Sequence, residues 1–305
     1  MKKEKTEEKK NRISIFLDSG AFSAFTKGVE INLNEYIEFV KKNLDVIDVY
    51  ANLDVIRDPV ATLRNQEIME AAGLHPLPVF HIGSDYSYLK HYLEKGYDYI
   101  GLGIAAQKDK KMLIDWLDEC FSKYLCKKDG FPKVKVHGFG ITRLGIMLRY
   151  PWYSVDSTSW VISSRMGSIY VPNFRGGKWV YNIDPLKVMV SSCSPKKEDD
   201  GQHFDTFSPL NQKIILDYVQ MRGYRIGKSE SRFEKQPYKL RDNERWWGDK
   251  KDDPRELEVT LEDGLSNNYH SRDQINIMYF LDLEKSVPEW GTWPFEPPLK
   301  RRRLF

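Results

Sequence analysis

The sequence predicts an α/β fold, a (β/α)₈ TIM-like barrel followed by a C-terminal helical or irregular extension. From residue 13 to about 171, short β-branched or aromatic runs alternate with amphipathic stretches, a pattern typical of parallel sheets. Seven strand candidates are visible, and an eighth apolar run follows. The alternative is a doubly wound fold, but the first strand–helix turn, "DSGAFS", lacks the GxGxxG pattern of a dinucleotide site.

The predicted strands are short apolar runs that end at turn residues, and the stretches between them repeat apolar residues at three and four. The strands cover residues 13–17, 46–53, 77–80, 99–102, 134–136, 152–155, 169–171 and, as the eighth, 186–192. The intervening helices are "NLNEYIEFVKKN", "DPVATLRNQEIMEAAG", "DYSYLKHYLEKG" and "KKMLIDWLDECFSKYL".

After residue 173 the pattern changes. "NFRGGKWVYN" predicts a hairpin, "SPLNQKIILDYVQMRG" predicts a helix capped by Ser208, and we expect two more helices around "PRELEVTLEDG" and "SRDQINIMYFLDLEKS". We therefore divide the chain into a charged tail (1–12), a barrel (13–222) and an extension (223–305) that ends in the basic "LKRRRLF".

Composition narrows the class of protein. A chain of 305 residues with 41% hydrophobic content can bury a large core. We expect a cytoplasmic protein, because no apolar run is long enough to span a bilayer and the N-terminus is charged where a signal peptide is hydrophobic. The three cysteines form no CxxC pair, so neither a disulfide framework nor a metal site is indicated. A net charge of +3 does not by itself indicate a polyanionic partner.

Polar residues or glycines follow each of the first six predicted barrel strands. Any one of them is explained by ordinary turn and helix-capping preferences, and a lone histidine such as His81 is more often structural than catalytic. Turn and capping preferences explain the whole set less well, because Asp18, Asp54 and Asp156 each follow an apolar strand. In a barrel they would converge at the end that forms the active site. Two or three carboxylates in one pocket suit acid–base and glycosyl chemistry.

The order of these motifs resembles the tRNA-guanine transglycosylase superfamily, most closely its phage branch, the DNA 7-deazaguanine transglycosylases. The matching segments are "DSGAF" at Asp18, "YANLDVI" at Asp54, "PVFHIG" at His81, "IGLGIA", "HGFGIT" and "YSVDSTSW" at Asp156. The resemblance covers about half of the chain, and it rests on the order and spacing of all six segments.

The resemblance implies ping-pong base exchange without a metal or other cofactor. It implies that Asp156 is the nucleophile that attacks the sugar C1′, and that Asp18 removes a proton from an incoming 7-deazaguanine such as 7-cyano-7-deazaguanine. It further implies a set of residues that bind the base: Ser19, Gly20, Phe22, Asp54, His81, Gly101, Gly103, Gly138 and Phe139. If the gene is carried by a phage, the compartment is the bacterial host cytoplasm.

Two departures bear on the substrate. The tRNA enzymes carry a Cys-rich zinc site after the nucleophile, and here Cys193 stands alone, which favours DNA over tRNA. His81 occupies the position of the family's usual glutamine, so the resemblance leaves open which deazapurine the pocket accepts. The alternatives are a tRNA-guanine transglycosylase, an N-glycosidase, and a catalytically silent DNA-binding barrel.

Residues 221–247 contain eight Arg or Lys against four acidic residues, interleaved with five aromatic residues. Phosphate contacts and stacking surfaces are what an interface with DNA around an extruded base needs. Arg241, Arg245, Trp246 and Trp247 are therefore the candidate nucleic-acid contacts. The alternative is a solvated loop whose aromatic residues cover the barrel.

Overall fold

The computed structural model describes residues 13–104, 109–141, 143–193 and 202–287. These residues form two compact units, 13–156 and 157–287. The predicted N-terminal tail and the "LKRRRLF" segment lie outside the described residues. The predicted domain limits, 13–222 and 223–305, stay predictions.

The first unit is built on six parallel strands in chain order. β1 (Phe16–Leu17) pairs with β2 (Val49–Tyr50). A second parallel set is formed in order by β3 (Val79–His81), β4 (Tyr99–Gly103), β5 (Lys135–Phe139) and β6 (Ser154–Val155). A parallel bridge between Ala51 and Leu77 continues the order from β2 towards β3. The first six predicted strands are thus confirmed in place, although each begins or ends at different residues from those predicted.

Within this unit, helices follow each of the first five strands. Four of them begin where a side chain of Asn32, Asp58, Asp85 or Asp109 accepts hydrogen bonds from the first turn, and these are the four predicted helices. The helices of this unit are α1 (Ala21–Lys27), α2 (Leu33–Lys42), α3 (Pro59–Ala71), α4 (Tyr86–Lys95), α5 (Lys110–Glu119, continued by a π-helical turn over Cys120–Leu125) and α6 (Leu144–Met147). Neither α1 nor α6 was predicted.

Alternation along the strands separates the two faces of the sheet. On one face Phe80, Ile100, Leu102 and Val136 are buried in an apolar cluster with helical residues such as Leu117. The next residues along the same strands point the other way, because successive side chains of a strand alternate. This second face carries aromatic, polar and glycine residues, and it ends at the three carboxylates.

Contact between the first and fifth strands shows that the sheet is strongly curved. The rings of Phe16 on β1 and His137 on β5 are stacked with centroids 4.3 Å apart. Four strand spacings in a flat sheet would separate these strands by roughly 19 Å. The sheet therefore bends around its polar face, as the wall of a barrel does.

The second unit contains the remaining predicted strands in a different arrangement. β7 (Ser168–Val171) and β10 (Leu186–Met189) pair antiparallel, whereas neighbouring strands of a (β/α)₈ barrel are parallel. The chain between them forms the predicted hairpin, β8 (Asn173–Arg175) with β9 (Lys178–Val180), instead of a crossover helix. Closure of a barrel stays a prediction.

Helices of this unit are α7 (Ser159–Arg165), α8 (Pro209–Met221) and α9 (Tyr269–Ser286), with a short 3₁₀ turn at Phe204–Thr206. The predicted capping of α8 is confirmed, because the Ser208 side chain accepts from the backbone N–H of Asn211. Among the described residues, none of the helices combines the length and the apolarity needed to cross a bilayer.

The extension also contains an antiparallel sheet. β11 (Lys228–Glu234) and β12 (Glu244–Trp246) both pair with the central β13 (Arg255–Glu262). The prediction of a helix around "PRELEVTLEDG" is therefore wrong. Local helix propensity of the Glu and Leu residues is overridden because β13 gains strand partners on both sides.

The curved sheet requires a glycine at position 101, because an added Cβ would lie 2.5 Å from the Phe139 ring and 3.3 Å from Leu77. We expect Gly101→Ala to lower the free energy of unfolding by about 1–3 kcal/mol through overpacking. Gly145→Ala is the matched control, because nothing lies within 4 Å of its added Cβ in α6. Equal denaturant midpoints for the two variants would contradict this account.

Candidate active site

A hydrogen-bonded group joins the ends of the first three strands. The Ser19 hydroxyl donates to Asp54 Oδ1 at 2.9 Å, and His81 Nε2 lies 2.8 Å from Asp54 Oδ2. The Asp54 and His81 side chains are only 10% and 7% exposed. The structure therefore brings three predicted site residues together around one nearly buried carboxylate.

Glycines on β4 make room for this group. The position that a Cβ of Gly103 would take is filled by the His81 ring, and the one at Gly101 is filled by the Phe139 ring. These two predicted base-binding glycines therefore accommodate neighbouring protein rings in this structure.

The predicted base-binding residue Gly138 has a different environment. An added Cβ there would lie 2.7 Å from Ile141 and 3.0 Å from the Trp152 ring. Both neighbours belong to the apolar cluster on the opposite face of the sheet. Gly138 is thus needed for packing behind the polar face.

Asp156 follows β6 and is held by the backbone. The N–H of Gly140 donates to Asp156 Oδ1 at 2.8 Å, and Gly140 has φ +70°, a left-handed conformation that side chains disfavour. The Asp156 carboxylate is 41% exposed. One oxygen is thus fixed by the loop after β5, while the group as a whole remains accessible to a ligand.

The three carboxylates influence one another electrostatically. Burial raises the pKa of Asp18, the charge of Asp54 raises it further, and hydrogen bonds from the Gly20 and Ser19 backbone oppose the rise. Burial also raises the pKa of Asp156; the Gly140 N–H opposes this, and the charge of Asp18 adds to it. Although the Asp18 residue has an exposed surface, the protein around its carboxyl group removes part of its hydration.

His137 was not among the predicted site residues, yet it lies beside Asp156. Its Nδ1 lies 2.5 Å from Ser154 Oγ, which in turn lies 2.6 Å from the Tyr99 hydroxyl, and its Nε2 is 3.8 Å from Asp156 Oδ1. Burial lowers the pKa of His137 to about 4, so the imidazole is neutral near pH 7. One sequence signal could have indicated His137. His137 lies two residues before Phe139, and Ser154 lies two residues before Asp156, so the alternation of strand side chains places each pair on one face.

Aromatic residues surround this imidazole. Phe16 stacks on it and Phe139 meets it edge-on at 4.4 Å, so the predicted base-binding residue Phe139 packs against protein here. Phe22, the other predicted aromatic contact, lies on α1 with about half of its surface exposed. Gly20 precedes α1 in a left-handed conformation and turns the chain directly after Asp18.

Tyr36 is a further residue near the carboxylates that the sequence did not indicate. Its hydroxyl donates to the Ala51 carbonyl at 2.8 Å. Its pKa is raised by burial and then by the charges of Asp18 and Asp54. The phenol therefore stays protonated and serves as a hydrogen-bond donor near the two carboxylates.

Arg57, in the loop after Asp54, was also missed. It has φ 69°, and its guanidinium lies 5.5 Å from the centre of the exposed Phe25 ring. A left-handed arginine is costly, by about 1–2 kcal/mol, and no sequence pattern indicates it.

The predicted nucleic-acid contacts in the second unit differ in their surroundings. Arg241 is 71% exposed and Trp247 is also exposed. Arg245 instead pairs through Nε with Glu258, whose side chain is 0% exposed, and Trp246 packs beneath the Arg255 guanidinium at 4.9 Å. Trp247 is thus presented to solvent. Arg241 is mostly exposed, although its Nε lies 3.7 Å from the buried Glu244 carboxylate, which Arg232 also pairs with at 2.7 Å. Arg245 instead pairs with a carboxylate that is fully buried.

Within the described residues, no group of three or more His, Cys, Asp or Glu side chains is arranged to hold a metal ion. Comparison with protein-family models, curated proteins and solved structures finds no match to this chain. The order of the motifs and the geometry of the site are therefore what bear on function.

The coupling between Asp54 and Asp18 is testable. We expect Asp54→Asn to lower the pKa of Asp18, because it removes the neighbouring negative charge that helps to raise it. Carboxyl ¹³C titration by NMR measures this directly. Asp115→Asn is the control, since Asp115 lies on α5 and forms an exposed ion pair with Lys111. An Asp18 midpoint that is the same in all three proteins would show that the two carboxylates are independent.

Proposed function

We propose that this protein replaces guanine in DNA with a 7-deazaguanine derivative through a covalent aspartyl-glycosyl intermediate. The observation that carries the proposal is the convergence of Asp18, Asp54 and Asp156 at the ends of β1, β2 and β6, where the charge of one raises the pKa of the next. The motif resemblance supports the assignment, and the barrel-like curvature supports a single pocket.

In the first half-reaction an Asp156 carboxylate oxygen forms a bond to C1′ while the C1′–N9 bond of guanine breaks. The Gly140 N–H holds Oδ1, which leaves Oδ2 as the attacking atom. The departing base takes the bonding electron pair and needs a proton, which Asp18 supplies in its acid form. A raised pKa makes Asp18 a better proton donor near neutral pH than an ordinary aspartate.

The second half-reaction reverses these steps with a different base. The carboxylate of Asp18 removes the N9 proton of the incoming 7-deazaguanine, N9 attacks C1′, and the C1′–oxygen bond to Asp156 breaks. Protons therefore balance over the cycle, since Asp18 regains the proton that it gave to the departing guanine. Neither a redox step nor an external proton source is needed.

Base recognition falls to the group around Asp54. A carboxylate offers about four acceptor sites, and Ser19 and His81 occupy one on each oxygen. The remaining sites suit the N–H and amino donors on the Watson–Crick edge of guanine and of 7-deazaguanines. Both bases carry these donors, so the same group serves both half-reactions.

The case for DNA rests on exposed cations beside aromatic rings. In the first unit, Arg57 lies in the loop that follows Asp54, and its guanidinium lies over the Phe25 ring. In the second unit Arg241 and Trp247 are exposed around the β11–β13–β12 sheet. Extruding a base from a duplex costs a few kcal/mol, and phosphate contacts together with stacking offset such a cost.

We expect Asp156→Asn to abolish exchange of labelled guanine into DNA while the protein stays folded, because the carboxylate is a partly exposed strand-end group. The covalent DNA adduct should be absent from intact mass spectra of the variant. Asp18→Asn is the informative partner variant: adduct formation would persist at a reduced rate, and its resolution by 7-deazaguanine would slow. Exchange at the wild-type rate in Asp156→Asn would remove this residue from the reaction.

Arg57→Gln and Arg241→Gln should each weaken duplex DNA binding, because each removes an exposed cation from a proposed phosphate interaction. The slope of log affinity against log salt should become shallower by about 0.9 for each phosphate that is no longer neutralised. Arg64→Gln, an exposed residue on the outside of α3, is the control. Arg245→Gln is unsuitable because it would leave Glu258 buried without its charge partner.

The alternatives are separated by offering duplex DNA, single-stranded DNA and tRNA with the same deazaguanine at equal salt. Insertion into tRNA alone would establish a tRNA transglycosylase, and base release without insertion would establish an N-glycosidase. Tight DNA binding with neither reaction would establish a silent binding protein. Insertion into single strands only would retain DNA and discard base extrusion.

A further inference from the structure

An unpaired nitrogen lies beside the proposed nucleophile. His137 is 2% exposed, and among the described residues its Nε2 atom has no hydrogen-bond partner. Leaving a buried polar atom unpaired is unfavourable, so such an atom calls for an explanation. Asp156 Oδ1 lies 3.8 Å from this nitrogen. Catalytic hydrogen bonds are often long without substrate and shorten in the reacting complex.

The direction of the hydrogen bonds is assigned from the chemistry of the three groups. A phenol is a better donor than an aliphatic hydroxyl, so we assign the Tyr99 hydroxyl as the donor to Ser154 Oγ, 2.6 Å away. Ser154 has a single proton, and in this assignment it donates that proton to His137 Nδ1, 2.5 Å away. The neutral imidazole then carries its own proton on Nε2, where it faces a carboxylate instead of presenting a lone pair to it.

We propose that Tyr99, Ser154 and His137 form a fixed chain of hydrogen bonds that aims the Nε2–H of His137 at Asp156 Oδ1 and so positions the nucleophile. This inference rests on the proposed function, in which Asp156 attacks C1′. The hydrogen-bond chain makes no substrate contact, and no proton is transferred along it. His137 is a positioning residue.

The hydrogen-bond chain would act most strongly when the covalent intermediate resolves. While Oδ2 is bonded to C1′, Oδ1 is an ester carbonyl oxygen and a weak acceptor. When the C1′–oxygen bond breaks, negative charge returns to the carboxylate, and a hydrogen bond to a charged acceptor is roughly twice as strong as a neutral one. The Nε2–H and the Gly140 N–H together would stabilise Asp156 as the leaving group.

Stacking explains why the imidazole is suited to this role. Phe16 covers one face at 4.3 Å and Phe139 meets its edge at 4.4 Å, so the ring cannot turn without displacing both. Its buried setting keeps it uncharged, so in the reacting complex it would donate a hydrogen bond to Asp156 without forming a full ion pair. Among the titratable groups, the charge of Asp18, which follows β1, raises the pKa of Asp156. On β4, burial is the main cause that raises the pKa of the Tyr99 hydroxyl, and the charge of Asp156 adds to the rise.

The first test compares His137→Phe, which keeps an aromatic ring and removes both nitrogens, with the wild type. We expect kcat to fall about tenfold to a hundredfold, as for the loss of one charge-assisted hydrogen bond, with KM for the deazaguanine changed less than about twofold. The pKa of Asp156 should rise because its ionised form loses a donor, so the acid limb of the pH–rate profile should move to higher pH. An unmoved acid limb with unchanged kcat would overturn the proposal.

Variants at Ser154 test the direction of the hydrogen-bond chain. Ser154→Ala removes the donor to Nδ1 and should reduce kcat, whereas Ser154→Thr retains a hydroxyl and should restore it. A merely structural role would lower the thermal midpoint in both variants without separating them in kcat. Equal kcat for Ala, Thr and wild type would discard the hydrogen-bond chain.

A measurement that needs no catalysis separates this inference from the proposed function. The ¹⁵N shifts of His137 in the wild-type protein report its tautomer, and we expect Nε2–H; in Ser154→Ala the Nδ1–H form should gain population. A wild-type Nδ1–H tautomer would overturn the proposal even if base exchange is observed. Absence of base exchange together with the Nε2–H tautomer and a raised Asp156 pKa in His137→Phe would instead reject the proposed function and retain the hydrogen-bond chain.

Discussion

The stacking of Phe16 on His137 is the contact on which the geometry of the site depends. It holds the first strand against the fifth across the polar face of the sheet, at 4.3 Å between ring centroids. In a flat sheet the carboxylates that end β1 and β6 would lie about five strand spacings apart, roughly 24 Å, too far for one base and its sugar. Curvature brings them within electrostatic reach, and the charge of Asp18 contributes to the raised pKa of Asp156.

Glycines on β4 are the second requirement of that curvature. The concave face of a strongly bent sheet has less room than the convex face, and it is the concave face that holds the rings of His81, His137 and Phe139. Gly101 and Gly103 provide the space that the Phe139 and His81 rings fill. The polar site and the packing of the sheet therefore depend on the same side chains, because rings that line the site also fill the space above β4.

The second unit follows different principles. Its three-stranded sheet places Glu258 in a fully buried position, where Arg245 and Ser192 satisfy its two oxygens. A buried carboxylate needs such partners, because an unpaired charge in the interior is strongly destabilising. The cationic residues of the basic segment differ in exposure. Arg245 pairs with the fully buried Glu258, whereas Arg241 is 71% exposed and is one of two arginines near Glu244. Arg241 is therefore the more accessible of the two to a polyanion.

The sequence alone determined the order of the six strands and the four side-chain-capped helices of the first unit, since apolar period and capping residues are local signals. It also identified Asp18, Asp54 and Asp156 as strand-end carboxylates, but it missed α1 and α6. It could not reveal the Tyr99–Ser154–His137 chain of hydrogen bonds, because those residues come from three strands and meet only through curvature. It also misassigned β13, whose helix-forming residues pair on both sides with distant strands. Pairing and curvature are long-range properties, and no local pattern encodes which side chains will face one another across the sheet.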